Sequence, residues 1–164
     1  MQLSARMLEL LNTQLTNELY SAHLYLSVAA YFEAVNLKGF AKYYQEKSRE
    51  EHKHALLFFD YIADRLGRIQ ISTLTEPPTF QMYAVLDVVT MVYDHEQKIS
   101  AAIQEIIPVA INTEDTATRV FAEKMIMEQV EEEATANILL EKIRFIGDDK
   151  GALLDIDEDL AEKD

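Results

Sequence analysis

No cysteine occurs in the 164 residues, which excludes disulfide frameworks and thiolate metal sites alike. Glycine and proline are scarce, at four and three. A fold built on tight turns needs more of both, so long helices are favoured over a turn-rich β architecture. Positive charge is also short: 15 lysines and arginines against 29 acids leave a formal charge of −14. That charge repels phosphate backbones and no basic face is evident, so nucleic acid is excluded as a partner. Apolar residues make up 49% of the chain, yet no run approaches the roughly 18 residues of a membrane span. The opening MQLSARMLELLNTQL intersperses polar residues and shows no signal-peptide cleavage pattern, from which a cytoplasmic location is expected.

What the chain does contain is helical periodicity. It predicts four long helices at about 4–34, 37–66, 80–111 and 114–147 within one domain spanning 1–164. Gly39 sits beside the first break and Gly67 is expected to end the second helix. TEPPTF (75–80) closes a long connection, INTEDT (111–116) marks the third junction, and Gly147 follows the fourth helix. Leu153, Leu154, Ile156 and Leu160 give the tail enough apolar surface for a short helix at about 152–161. Pro108 falls inside the third segment and should kink or shorten it.

Each helix of about 30 residues is about 45 Å long. The first and second are joined by a few residues, as are the third and fourth, so each pair is expected to be antiparallel. The middle connection, about 67–79, reaches about 43 Å when extended, enough to cross the bundle and leave helices two and three parallel. The expected architecture is an all-α four-helix bundle with one long crossover and a short C-terminal fifth helix.

Every helix carries an apolar seam, and every seam is interrupted once by acid. The third runs Met82, Val85, Val89, Val92, Glu96, Ile99, Ile103, Ile106, with Glu96 its only polar member. The first runs Leu11, Leu15, Glu18, Ala22, Tyr25, Ala29. The second runs Phe40, Tyr44, Lys47, Glu51, His54, Phe58, Tyr61, and the fourth Phe121, Met125, Gln129, Glu132, Ala136, Leu139, Ile143, Ile146. Glu18, Glu51, Glu96 and Glu132 each lie near their own helix midpoint. Midpoints meet at one level whichever way a helix points, so the four carboxylates should converge.

Unpaired, four buried carboxylates would protonate or unfold the site, since each costs several kcal/mol or more. Lys47, one turn from Glu51, is the nearest cation, and one is too few. Two divalent metal ions balance four carboxylates beside a neutral His54, which predicts a dinuclear centre. Glu51-x-x-His54 supplies two ligands from one helix face at i, i+3 spacing. That motif alone is weak; level with three other core acids it becomes strong. Oxygen-rich coordination with one imidazole suits iron or manganese better than structural zinc.

Four ordered motifs, NELYSAHLYLS (17–27), EEHKHA (50–55), YDHE (93–96) and EQVEEE (128–133), resemble the non-heme ferritins of bacteria and archaea. The match spans nearly the whole chain, including NLKGF at the first turn, and the single crossover is the ferritin-like arrangement. The resemblance implies a ferroxidase centre. Glu18, Glu51 and His54 look like the ligands of a first iron, with Glu51 bridging to a second iron held by Glu96 and Glu132. Gln129 looks like an amide that hydrogen-bonds within the site. Tyr25 resembles a tyrosine that bonds a ligand and can donate an electron; it is equally readable as a core aromatic without a redox part. Glu50, Glu128 and Glu131, sharing Glu132, resemble a third iron site.

Two departures from related families stand out. Gln129-x-x-Glu132 replaces the second Glu-x-x-His of bacterioferritins and rubrerythrins. His52 falls where bacterioferritin has its heme-ligating methionine, so heme is not expected. Charge runs face water, and Glu133 is read as surface. His23, His52 and His95 lie off the seams and read as surface or intersubunit residues. The implied function is iron storage: Fe(II) oxidised by dioxygen or hydrogen peroxide and kept as a hydrated ferric oxide in a 24-subunit homo-oligomeric shell. The C-terminal helix would line its four-fold axis. The alternative is a di-iron peroxidase or oxygenase of the rubrerythrin type, acting on a small substrate without mineral storage; a purely structural acidic bundle would bind no metal.

Overall fold

The computed structural model describes residues 2–81 and 83–162. The seam position Met82 lies outside the described residues. Among those described there are helices and no strands: α1 (Ala5–Ala34), α2 (Lys38–Asp64), α3 (Val85–Gln104), α4 (Ile106–Asn112), α5 (Thr116–Ile146) and α6 (Lys150–Glu162). Among the described residues no helix is long and apolar enough to cross a membrane.

Local chemistry accounts for the boundaries. Ser4 starts α1 by accepting from the Met7 N–H at 3.2 Å. After α1 the chain reverses through Asn36 at φ 61°, a left-handed conformation that asparagine tolerates. α2 ends differently from expectation. The left-handed residue is Leu66, at φ 56°, and the Gly67 N–H closes the turn onto the Ile62 carbonyl at 2.9 Å. Gly67 serves close packing instead, because a Cβ there would lie 2.9 Å from Leu8 Cδ1 on α1.

The third predicted helix is both late and broken. The crossover reaches Phe80, buried against the Tyr31 ring, and α3 begins only at Val85. The break after Gln104 is four residues before Pro108. Proline has no N–H for the Gln104 carbonyl and its ring crowds that oxygen, so the helix divides into α3 and α4.

α1 packs along α2, and α3 along α5, as two hairpins. The crossover is pinned at both ends of α1. Asn12 accepts from the Gln70 N–H at 2.7 Å and donates to the Arg68 carbonyl at 3.1 Å. At the far end Ser27 donates to the Pro78 carbonyl and Tyr31 to the Tyr83 carbonyl, both at 2.9 Å. The connection therefore runs the length of α1, and α2 and α3 point the same way. A second latch joins the end of α2 to the start of α5. Arg65 pairs with Asp115 at 3.0 Å, while Asp115 caps α5 through the Thr118 N–H.

α6 docks at the N-terminus of α2. Asp157 accepts from the Phe40 N–H at 2.9 Å, Lys42 donates to the Ala161 carbonyl, and Leu160 is buried. Gly39 permits this contact: a Cβ there would stand 1.7 Å from the Asp157 carbonyl oxygen.

The apolar core is two clusters rather than one. The first gathers Tyr25, Phe32, Phe40, Tyr44, Val89 and Leu140; the second gathers Leu11, Leu15, Phe58, Ile99, Ile103 and Met125. Between them lies a layer of buried polar side chains: Gln14, Glu18, Ser21, Glu51, Glu96, Ser100 and Gln129.

Candidate metal centre

That layer is where the acid-interrupted seams meet. Glu18 on α1 is 1% exposed, Glu51 on α2 2%, and Glu96 on α3 4%. Glu132 on α5 stands at the margin, its side chain 17% exposed.

Glu18, Glu51 and His54 form the tightest group: each offers one ligand atom, and these atoms all lie within 4.8 Å of one another. Gln14 donates to Glu18 Oε1 at 2.7 Å, and His54 Nδ1 faces Glu51 Oε2 at 3.5 Å. Glu18 Oε2 and Glu51 Oε1 are buried and take no hydrogen bond from any neighbouring N–H or hydroxyl; a proton shared between the two carboxyls is the bond left to them. Buried acceptors without partners are rare and costly, and two converging on one imidazole form a candidate ligand set.

Glu96 is furnished differently. The Tyr25 hydroxyl donates to its Oε1 and the Gln129 amide to its Oε2 at 3.1 Å, with Ser100 bonded to the same amide nitrogen at 3.3 Å. Glu132 turns to Lys47, whose Nζ lies 2.6 Å from its Oε2 and 2.8 Å from Glu50 Oε2. The remaining acids line an open cleft of about 350 Å³ beside His54, where Glu50, Glu128, Glu131 and Glu132 gather with Lys53. Glu128 Oε2 reaches His54 Nε2 at 3.5 Å, and Glu131 is exposed.

Protonation follows from this crowding. Burial and then repulsion from Glu51 hold the Glu18 carboxyl well above its ordinary range. The same two causes push Glu96 up to about 7, against the opposing bonds from Tyr25 and Gln129. The hydrogen bond that the ring donates to Glu51 raises His54 to about 9 despite its burial. These three shifts all favour the protonated form, so bound protons offset part of the charge crowded into the layer.

Several contributors were not read from the sequence. Gln14 holds Glu18 from four residues away on the same helix face, a spacing that could have flagged it. Ser100 supports Gln129 only across helices, which no spacing reveals. His95, read as a surface or intersubunit residue, is half-buried within the single chain. Its ring packs edge-on between Tyr20 and Tyr25, Nε2 lies 2.8 Å from Ser21 Oγ, and burial lowers it to about 4. His23 and His52 are exposed, and Glu133 is partly buried.

A four-helix bundle split by a carboxylate layer that carries a Glu–Glu–His set is the architecture of metal-handling bundle proteins. The ferritin-like domain family model matches residues 8–146, and the chain belongs to the ferritin family, among its non-heme members. A bacterial non-heme ferritin of Bacteroides fragilis is 35% identical over 89% of this chain and 91% of its own length. A bacterial non-heme ferritin of Staphylococcus haemolyticus is 31% identical over 97% of this chain and 95% of its own. The open pore ferritin of the archaeon Archaeoglobus fulgidus superposes with a TM-score of 0.96 at 40% identity, covering 99% of this chain and 98% of that one.

Proposed function

We propose that this chain is the single-domain subunit of an iron-storing ferritin that takes Fe(II) as substrate, oxidises it at a dinuclear carboxylate centre, and keeps the product as a hydrated ferric oxide. The observation that carries the reading is the pair of oxygens, Glu18 Oε2 and Glu51 Oε1, that no N–H or hydroxyl reaches, buried beside His54. A divalent cation supplies the positive charge those atoms lack, and hard oxygen donors with one imidazole suit ferrous iron. Glu18, Glu51 and His54 receive the first ion. Glu51 is shared with a second ion that takes Glu96 and Glu132, with Tyr25 and Gln129 fixing the Glu96 carboxylate. Glu50, Glu128 and Glu131 line the adjoining cleft and serve as a third iron position.

Oxidation follows from the ligand set. Anionic carboxylates stabilise Fe(III) more than Fe(II), which lowers the potential of the bound ions. Two ferrous ions give one electron each; with two protons these take dioxygen to hydrogen peroxide, or hydrogen peroxide to water. The setting that goes with this chemistry is cytoplasmic, in a homo-oligomeric shell of 24 copies. The test is anaerobic Fe(II) titration followed by oxygen, on protein first sized by light scattering. Uptake of hundreds of ions per large shell is expected. Saturation at two ions per subunit in a small oligomer would instead favour a di-iron peroxidase or oxygenase.

A further inference from the structure

The proposed centre contains a cation of its own. Lys47 Nζ lies 2.6 Å from Glu132 Oε2 and 2.8 Å from Glu50 Oε2, and its side chain is only 16% exposed. It also lines the same narrow space as the two acids assigned to the second ion. Tyr25, Tyr44, Lys47, Glu96 and Glu132 line one void of about 10 Å³, room for at most about one water. An ion held by Glu96 and Glu132 would compete with the ammonium for that space. Glu50 offers the displaced group a place to go, because its side chain is 47% exposed and faces the open cleft.

We propose that Lys47 is a positioning residue that occupies the second metal position of the resting protein, so that the centre loads in two unequal steps. The first ion enters at Glu18, Glu51 and His54, where acceptor oxygens take no N–H or hydroxyl bond. The second binds only as the ammonium leaves Glu132 for Glu50, as an intact cation and without losing a proton. The chain thereby eases the crowding of its converging acids from within: Lys47 places a cation against Glu132 at the layer's edge. The same contact makes the second step weaker than the first, because a like charge must be displaced before the ion gains its ligand. Lys47 is also placed to oppose iron at the third position whenever it is parked on Glu50.

This inference rests on the di-metal reading, and the experiment separates the two. Zn(II), a redox-inert divalent probe, is titrated calorimetrically into the assembled, chelator-treated wild type, Lys47→Met and Lys47→Arg. Lys47→Met keeps the apolar stem without the charge; Lys47→Arg keeps the charge. The wild type should show a tight step and a weaker one. In Lys47→Met the first step should stay within about twofold, while the second tightens at least about tenfold, equivalent to about 1.4 kcal/mol of lost competition. Lys47→Arg should restore the weak second step, which a merely structural role for the side chain would not require. An unchanged second step in Lys47→Met, or equal tightening in Lys47→Arg, overturns the role of Lys47 alone. Absence of any tight step in the wild type overturns the di-metal reading and this inference with it.

Discussion

Replacing Glu96 by glutamine should stabilise the metal-free protein at alkaline pH while weakening the metal-loaded one. In the folded chain Glu96 is pushed from an ordinary 4.5 to about 7, first by burial and then by Glu51. At about 1.4 kcal/mol per pH unit, keeping it ionised costs about 3 kcal/mol once the pH is well above 7. The sign follows from the direction. A group whose folded pKa is raised contributes stability below its unfolded pKa and loses it as pH rises through the folded one. Metal-free stability should therefore fall between about pH 4.5 and 7 on account of Glu96, with Glu18 acting the same way and His54 extending the fall towards about 9. Glu96→Gln removes the Glu96 share. The Tyr25 hydroxyl still has an oxygen to bond, and Gln129 can turn its own amide oxygen to the new amide. Denaturant unfolding of chelator-treated protein at pH 5, 7 and 8.5, at one fixed concentration, should show a gap of about 1 kcal/mol or less at pH 5. By pH 8.5 the gap should reach about 2–3 kcal/mol in favour of the variant. Saturating Zn(II) should reverse the order, since the wild type gains more from binding. A gap that does not widen with pH, or a variant less stable at pH 8.5 without metal, would refute the account of a layer strained by its own charge.

Glu51→Gln and His54→Ala should each slow Fe(II) oxidation by more than about tenfold while far-UV circular dichroism stays helical. Stopped-flow absorbance checks this, and wild-type rates would sink the ligand assignment. Gly39→Ala should free α6, because its Cβ would meet the Asp157 carbonyl oxygen at 1.7 Å. A loss of at least about 2 kcal/mol and faster proteolysis near Leu160 are expected, whereas unchanged protection would mean that the helix ends shift without cost. Asp115→Ala removes the α5 cap and the Arg65 pair, for about 2 kcal/mol near neutral pH. Burial works against the Asp115 charge, but bonds from Arg65 and Thr118 outweigh it and hold its pKa below 3.8. Its contribution should therefore vanish as pH falls through that range, so the wild-type and variant acid-unfolding curves should converge there.

The helices and the polar layer were legible because burial repeats at a fixed interval along a helix. Glu96 stands alone among valines and isoleucines, and a residue at that phase has nowhere to go but inward. The length of the crossover and the brevity of the other junctions constrained the topology in the same way, through reach alone. Where the reading fell short, the deciding atoms came from elsewhere in the chain. Gly67 looked like a helix stop by type, yet Leu66 takes the left-handed conformation and Gly67 makes room for Leu8. His95 lies off the seam, yet Tyr20, Tyr25 and Ser21 enclose it.

The sequence by itself determined the helical bundle, its single crossover and the level at which acids interrupt apolar seams, because these depend on periodicity and length. Only the tertiary structure decided how each acid is answered. Glu18 and Glu51 keep oxygens that no N–H or hydroxyl reaches, Glu96 is held by Tyr25 and Gln129, and Glu132 is claimed by Lys47. A carboxylate's partner is set by distances of a few ångströms between helices, and nothing in a linear spacing encodes them.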